Sequence, residues 1–311
     1  MKASDLYVWA WKAVPKLPPN FVASVGGGIG RVVALANGRG VRQLRKNLRY
    51  LTGKEPTRRD VSRATASYFR CFAQQLSMSG WKPQYLRTSC VYDKVAQTRK
   101  LMETGPVILA LTHTGNWDLA GAWFCQGYGS IVTVAEKLTP PELFDSFVAF
   151  RNSIGMEVLG VQPGEKIFER LVQTVKDRSV LVPLLSDRDI SGSGVKVKLG
   201  QSEAIVAAGP AALALRLNRP LIAGTIRYVK IGRRWIINSS FTDPIPVPQP
   251  DPGETLVEAY TRAWVKETEP KLIRDALDWH MMQKLYVDDL DPERLARAEE
   301  RHKQSREGSE T

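Results

Sequence analysis

The sequence predicts an α/β fold: a central, mostly parallel sheet flanked by helices, with a basic helical N-terminal segment facing a membrane. Three observations carry that prediction. Short unbroken apolar runs, VILAL at Val107–Leu111 foremost, read as strands buried on both faces. Between them lie longer stretches with apolar residues three and four apart, which read as helices covering the sheet. The positive charge is gathered at one end: residues 1–63 carry 13 Lys or Arg against 3 Asp or Glu, out of 44 and 32 in the 311-residue chain.

Taken in order, residues 4–14 form a short apolar segment whose Tyr7, Trp9 and Trp11 suit a membrane interface, and Pro15, Pro18 and Pro19 break it. Residues 1–30 are therefore expected to lie on a membrane rather than through it. Arg42, Arg45, Lys46 and Arg49 add a cationic stripe beside an apolar one, so residues 1–50 read as one basic amphipathic segment. Thr57 and Asp60 approximate a capping box. The helix they start is expected to bury Val61, Ala64, Tyr68, Phe72 and Leu76, and Trp81 and Pro83 end it. A helix over 92–103 follows, making the first third an all-helical cover on one side of the sheet. Strands are expected at 107–111, 130–134 and 179–185, and as a pair at 220–229 and 234–239 turning at Gly232. Helices are expected after Asn116, after Pro140 and Pro141, over 167–178, over 211–218 and over 254–275. Residues 1–289 read as a single domain; 290–311, highly charged with almost no large apolar residue, read as a tail.

Composition narrows the function classes. Apolar residues make up 43% of the chain and charged residues 24%, ample for a sizeable core. No stretch reaches the roughly 20 apolar residues of a spanning helix, and no secretory leader is recognisable. Cys71, Cys90 and Cys125 form an odd, widely spaced set, so a reducing compartment without a disulfide framework is expected. Those thiols lack metal spacing and the only histidines are His113, His280 and His302, so no metal site and no bound cofactor are expected. A basic end suits a phospholipid leaflet or nucleic acid. The interfacial aromatics, and the lack of a helix-turn-helix or zinc-finger pattern, make an anionic membrane the expected partner and nucleic acid not.

The chemistry concentrates where the first buried strand ends. His113 follows that strand after one Thr, four residues separate it from Asp118, and the apolar pattern changes period beyond Asp118. His113 thus stands at a strand terminus and Asp118 in the first turn of the next helix, with Asn116 as N-cap. In an open α/β sheet that edge is where ligands bind. A tight turn can bring imidazole and carboxylate together, so that the acid fixes the tautomer and the other ring nitrogen takes a proton from a hydroxyl. No Ser or Cys occupies a nucleophile elbow, so His113 is read as acting on a substrate hydroxyl; the alternative is a buried His bonded to an acid for structure. Thr114 and Asn116 flank backbone N–H groups at the helix start that suit an oxyanion. Glu136 follows the second strand on the same edge. Arg151 offers a bidentate fork for phosphate or carboxylate, or else an intrahelical or surface ion pair. Asp187, Arg188 and Asp189 end the third strand, where two carboxylates around an Arg are costly to bury unless paired. They are read as holding the His113 imidazolium, orienting a hydroxyl or binding sugar hydroxyls, against a plain surface turn.

HTGNWD after a buried strand resembles the catalytic motif of the lysophospholipid and lipid A late acyltransferase superfamily. THTGNWDLAGAW is similar to its actinobacterial branch, the phosphatidylinositol mannoside acyltransferases. Further blocks follow in order at 133–160, 181–197, 207–215 (AAGPAALAL) and 278–283 (DWHMMQ). The resemblance implies acyl transfer from a long-chain acyl-CoA co-substrate such as palmitoyl-CoA to a mannose hydroxyl of a phosphatidylinositol mannoside, by a peripheral enzyme on the cytoplasmic face of the plasma membrane. It implies His113 as general base, oriented by Asp118 and held by an acid of the third block, matched by Asp187 with Asp189 and Glu203 as alternatives. It makes Arg151 and Arg188 ligands for phosphate or developing charge, and Asp278, Trp279 and His280 a structural block. The chain departs from the branch where Leu199, Gly200, Gln201 and Ser202 replace an aromatic-rich FFGE step, and at Ile205, where the branch tends to have Arg; this stretch bears on substrate identity. A thioesterase using the same pair on water and a non-enzymatic basic membrane-binding protein are the other classes.

Overall fold

The computed structural model describes Trp11 and residues 13–136, 141–161, 167–190 and 192–291. Three helices come first: α1 (Pro19–Ala36), α2 (Arg39–Thr52) and α3 (Arg58–Met78). After them come α4 (Pro83–Arg87), β1 (Cys90–Tyr92), α5 (Val95–Met102), β2 (Val107–Leu111), α6 (Trp117–Cys125), β3 (Ser130–Glu136), α7 (Pro141–Ser153) and β4 (Met156–Val161). The second half holds α8 (Ile167–Val175), β5 (Val180–Leu185), β6 (Val195–Leu199), β7 (Ser202–Val206), α9 (Gly209–Leu217), β8 (Leu221–Ile231), β9 (Arg234–Phe241) and α10 (Leu256–Arg274).

Seven strands form one sheet in the order β1-β9-β8-β2-β5-β3-β4, and β6 and β7 form a separate antiparallel pair. Strands β8, β2, β5, β3 and β4 are parallel; β9 turns back antiparallel to β8, and β1 lies parallel to β9. The fold is the expected α/β sheet between helical layers. All five residues of β2 are buried. Ile108 and Ala110 join a core with α8, α9 and α10, while Leu109 and Leu111 join a second core with α6. Covering both faces is why the strand reads as an unbroken apolar run rather than an alternation.

Strand β5 inserts between β2 and β3. It pairs with β2 at five positions, from Val107↔Leu181 to Leu111↔Leu185, but with β3 only at Ser130↔Val180 and Ile131↔Leu181. Pro183 has no N–H to continue the second ladder. The register pairing of the two strands stops after Ile131↔Leu181, and beyond it the Thr133 hydroxyl donates to the Pro183 carbonyl at 2.7 Å.

The first third differs from expectation. It is not all helical: Cys90–Tyr92 is a strand on the sheet edge, and the helix expected at 92–103 starts at Val95. A three-residue strand is too short for its alternation to be read. Strands β4, β6 and β7 also lay beyond the expected set. Helix α1 runs unbroken through Gly26, Gly27, Gly28 and Gly30, with Pro19 tolerated in its first turn. A Cβ at Gly30 would lie 2.5 Å from the Thr65 carbonyl oxygen, and one at Gly26 2.5 Å from Ala73 Cβ, so the glycines seat α1 closely on α3. The opposite side of α1 exposes Phe21, Val25, Ile29, Val32 and Leu35.

The capping box of Thr57 and Asp60 forms as expected. On α3, however, Tyr68, Phe72 and Leu76 are only half-buried, and the buried face carries Ser67, Arg70, Cys71, Gln74 and Gln75 because it abuts the polar site. Helix α2 buries Val41, Leu44, Leu48 and Leu51 and turns Arg42, Lys46 and Arg49 outward, with Lys46 paired to Asp289 at 2.8 Å. Among the described residues no single helix is long and apolar enough to cross a membrane; α1 and α2, bent by 91°, pass that test only together. The expected interfacial residues Tyr7 and Trp9, and nearly all of the expected tail, lie outside the described residues.

Two glycines of one helix should respond oppositely to alanine. Gly28 faces open space, so Gly28→Ala is expected to stabilise by about 0.5–1 kcal/mol through backbone entropy and helix propensity. Gly30→Ala is expected to destabilise by about 1–3 kcal/mol through overpacking. Urea denaturation of the two variants checks both signs.

Candidate active site

Strand register builds the site. Leu111 stands opposite Leu185, and the Ser186 N–H continues the ladder to the Leu111 carbonyl at 2.8 Å. Two residues beyond that pair, His113 meets Asp187. The Asp187 carboxylate accepts the His113 Nδ1–H at 2.5 Å, the His113 backbone N–H at 3.0 Å and the Trp279 indole N–H at 2.7 Å. Burial pushes this carboxyl up, but the attraction of His113 and those hydrogen bonds outweigh it and hold the acid below its ordinary range. With Nδ1 donating, Nε2 on the far side of the ring carries the lone pair. The His113 side chain is 28% exposed, against 2% for Asp187, and its ring stands edge-on to Trp117 at 5.6 Å.

The expected contact between His113 and Asp118 is not made. Asn116 caps α6 through Leu119 N–H, and Gly115, at φ 59°, turns the chain tightly against the Ile226 carbonyl. Asp118 then points beneath the helix start. Its carboxylate accepts Arg151 Nε at 2.8 Å and Gln75 Nε2 at 2.6 Å and is 1% exposed. Arg151 therefore forms an ion pair, but with another helix rather than within its own.

The other expected site residues divide. Thr114 is fully buried, its hydroxyl accepting the Ile226 N–H at 2.9 Å and lying 3.0 Å from the Thr112 hydroxyl. The backbone N–H of Thr114 is committed to Thr112 and that of Gly115 to Asp278, so these two of the expected oxyanion donors are already paired. Asn116 serves as the cap and donates to Gln74. Glu136 ends β3 on the His113 edge, opposite Val161; its side chain is outside the described set. Asp189 is buried and accepts the Gly192 N–H at 2.8 Å in the following turn. Arg188, half-buried, stands between the two acids. Glu203 is exposed on β7 near Lys196.

Several residues join the site without having been singled out for it. Gln74 and Gln75 reach Asn116 and Asp118, and Tyr228 donates to Gln74 at 2.7 Å. Two glutamines adjacent on a helix face that the apolar spacing marked as half-core were the available signal. The block at 278–280 is built into the site: Trp279 binds Asp187, and the His280 N–H donates to the His113 carbonyl at 2.7 Å. The Ser67 hydroxyl donates to Asp278 at 2.5 Å and lies 3.1 Å from His280 Nε2. Burial, then repulsion from His113, pushes His280 down to about 3, so it is neutral; burial pushes Asp278 up to about 6.

Beside Trp117 lies an apolar cavity of about 680 Å³, counting its open mouth. It spreads between α6 and the sheet, touching all seven strands, with the Asp118–Arg151 pair on its wall. The lining, mostly apolar side chains with one buried ion pair, suits an apolar ligand.

Removing one partner of the buried pair leaves the other uncompensated. Arg151→Met is expected to cost about 3–5 kcal/mol of stability, and adding Asp118→Asn to recover a large part of it. Denaturant unfolding of the single and double variants measures the coupling.

Comparison with known proteins bears on this geometry. The chain is 32% identical over 302 residues, covering 95% of both chains, to a phosphatidylinositol mannoside acyltransferase of Mycolicibacterium smegmatis. It is 29% identical over 308 residues to the protein of the same name from Mycobacterium tuberculosis, covering 95% of this chain and 92% of that one. Residues 3–287 match the sequence profile of the bacterial lipid A biosynthesis acyltransferases. The chain belongs to that acyltransferase family.

Proposed function

We propose that the protein moves a palmitoyl or similar long acyl chain from acyl-CoA to a mannose hydroxyl of a phosphatidylinositol mannoside, with no bound cofactor. The observation that carries this reading is His113, held by Asp187 through Nδ1, with its ring against Trp117, which lines an apolar cavity. His113 Nε2 removes the acceptor hydroxyl proton as that oxygen attacks the thioester carbonyl carbon. The tetrahedral oxyanion collapses, the carbon–sulfur bond breaks, and the imidazolium returns the proton to the departing CoA thiolate. Asp187 stabilises the imidazolium in between. The N–H groups of Asn116, Trp117 and Asp118, at the start of α6, are the oxyanion donors, since those of Thr114 and Gly115 are already bonded. Asp118 acts as a positioning residue: tied to Gln75 and Arg151, it fixes the start of α6. Arg188, Asp189 and Glu136 border the edge where phosphate and sugar hydroxyls would be held. The names of the relatives support the acceptor class.

The exposed stripe of α1 and the outward cations of α2 support a peripheral position on an anionic leaflet, which we assign to the cytoplasmic face of the plasma membrane. Val25→Glu combined with Val32→Glu, both exposed in the folded chain, is expected to abolish co-sedimentation with anionic vesicles while leaving the thermal midpoint unchanged.

Purified protein is to be incubated with palmitoyl-CoA, with and without the glycolipid acceptor. CoA release is expected to require acceptor and to fall about 10²–10⁴-fold in His113→Ala. Release that ignores the acceptor would make the protein a thioesterase, and release untouched by the substitution would remove His113 from the reaction.

A further inference from the structure

We infer that Met156 and Gly121 set the length of acyl chain the enzyme accepts, a conclusion that rests on the acyltransferase reading above. The cavity runs across the strands, so it has two ends, one under β1 and β9 and one under β4. At the first end the rings of Tyr92 and Phe241 pack at a tilt with centroids 4.8 Å apart, and the Tyr92 hydroxyl is bonded to Thr98, which pins the wall. At the second end the wall is the side chain of Met156, at the start of β4.

Room is made on that second side. The pairing of β3 with β5 stops after Ile131↔Leu181, and Thr133, Pro183 and Leu185 line the cavity where it has stopped. From β2, which carries His113, to β4 is three strand spacings, roughly 14 Å. Met156 reaches this place only because residue 121 of α6 has no side chain: a Cβ there would lie 2.3 Å from the Met156 sulfur. Both residues line the cavity, so the sulfur occupies space that either an alanine at 121 or a lengthening acyl chain would contest. An unbranched thioether with three rotatable bonds yields where an aromatic ring does not.

The geometry assigns opposite effects to two small substitutions at one point. Met156→Ala opens the far end and should favour longer chains. Gly121→Ala pushes the thioether into the cavity and should favour shorter ones, and alanine in the helix interior is itself well tolerated.

The test uses the full chain with lauroyl-, myristoyl-, palmitoyl-, stearoyl- and arachidoyl-CoA at fixed acceptor, reading kcat/KM for each. Met156→Ala is expected to raise the stearoyl-to-palmitoyl ratio about tenfold, and Gly121→Ala to raise the myristoyl-to-palmitoyl ratio by a similar factor, the scale of one or two methylenes in an apolar pocket. Met156→Val, a milder truncation, should shift the preference the same way and covers the case in which the alanine variant unfolds. Unchanged ratios in folded Met156 and Gly121 variants would overturn the inference while leaving the acyltransferase reading intact. The same holds if Phe241→Ala, and not Met156→Ala, lengthens the preferred chain, because the chain would then run towards β1. Failure of the unaltered protein to turn over any of the five thioesters would overturn the acyltransferase reading itself.

Discussion

The site depends on one constraint, the parallel register of β2 against β5. Five consecutive residue pairs lock the strands together, and carrying that register two residues past the last pair sets His113 opposite Asp187. Neither side chain has to search for the other. The acid receives the backbone N–H and the ring N–H of the same residue, so the imidazole is fixed both in place and in tautomer. Trp279 completes the carboxylate's shell, which lets a fully buried acid remain ionised. A shift of one residue in register would turn both groups to opposite faces and dissolve the pair.

Around this pair the protein tolerates an unusual amount of buried polarity. Helix α3 presents Ser67, Gln74 and Gln75 to the site, and each finds a partner: Asp278, Asn116 and Asp118 respectively. Such groups are costly to bury singly, and a network with its members paired is what makes them tolerable. The neighbouring cavity is almost wholly apolar apart from the Asp118–Arg151 wall. The site therefore joins a polar clamp to an apolar slot.

Much of this was legible beforehand because it rests on local patterns. The unbroken run 107–111, the switch of period after Asp118 and the cap at Asn116 placed His113 at the sheet edge, where it is found. The partner of His113 was less legible. Spacing along the chain pointed to Asp118, five residues away; the contact is instead made by Asp187, 74 residues on, which strand order brings alongside and which the resemblance singled out from the acids ending the third strand. Gly115 explains the difference, since its tight turn aims the two side chains apart. The polar face of α3 defeated the rule that helical periodicity marks the buried side, because that rule counts apolar residues and this interface is not apolar. The glycines of helix α1, whose role the chain pattern does not reveal, act as the seat for a close neighbour.

Pro183 has a mechanical consequence. Because it cannot donate a ladder bond, the sheet is bonded unevenly: β2 and β5 share five paired positions, β5 and β3 only two, with one threonine hydroxyl bridging beyond them. β3 and β4 in turn pair at six positions. The sheet is thus densely bonded across β2 and β5, where His113 meets Asp187, and sparsely bonded between β5 and β3, beside the cavity.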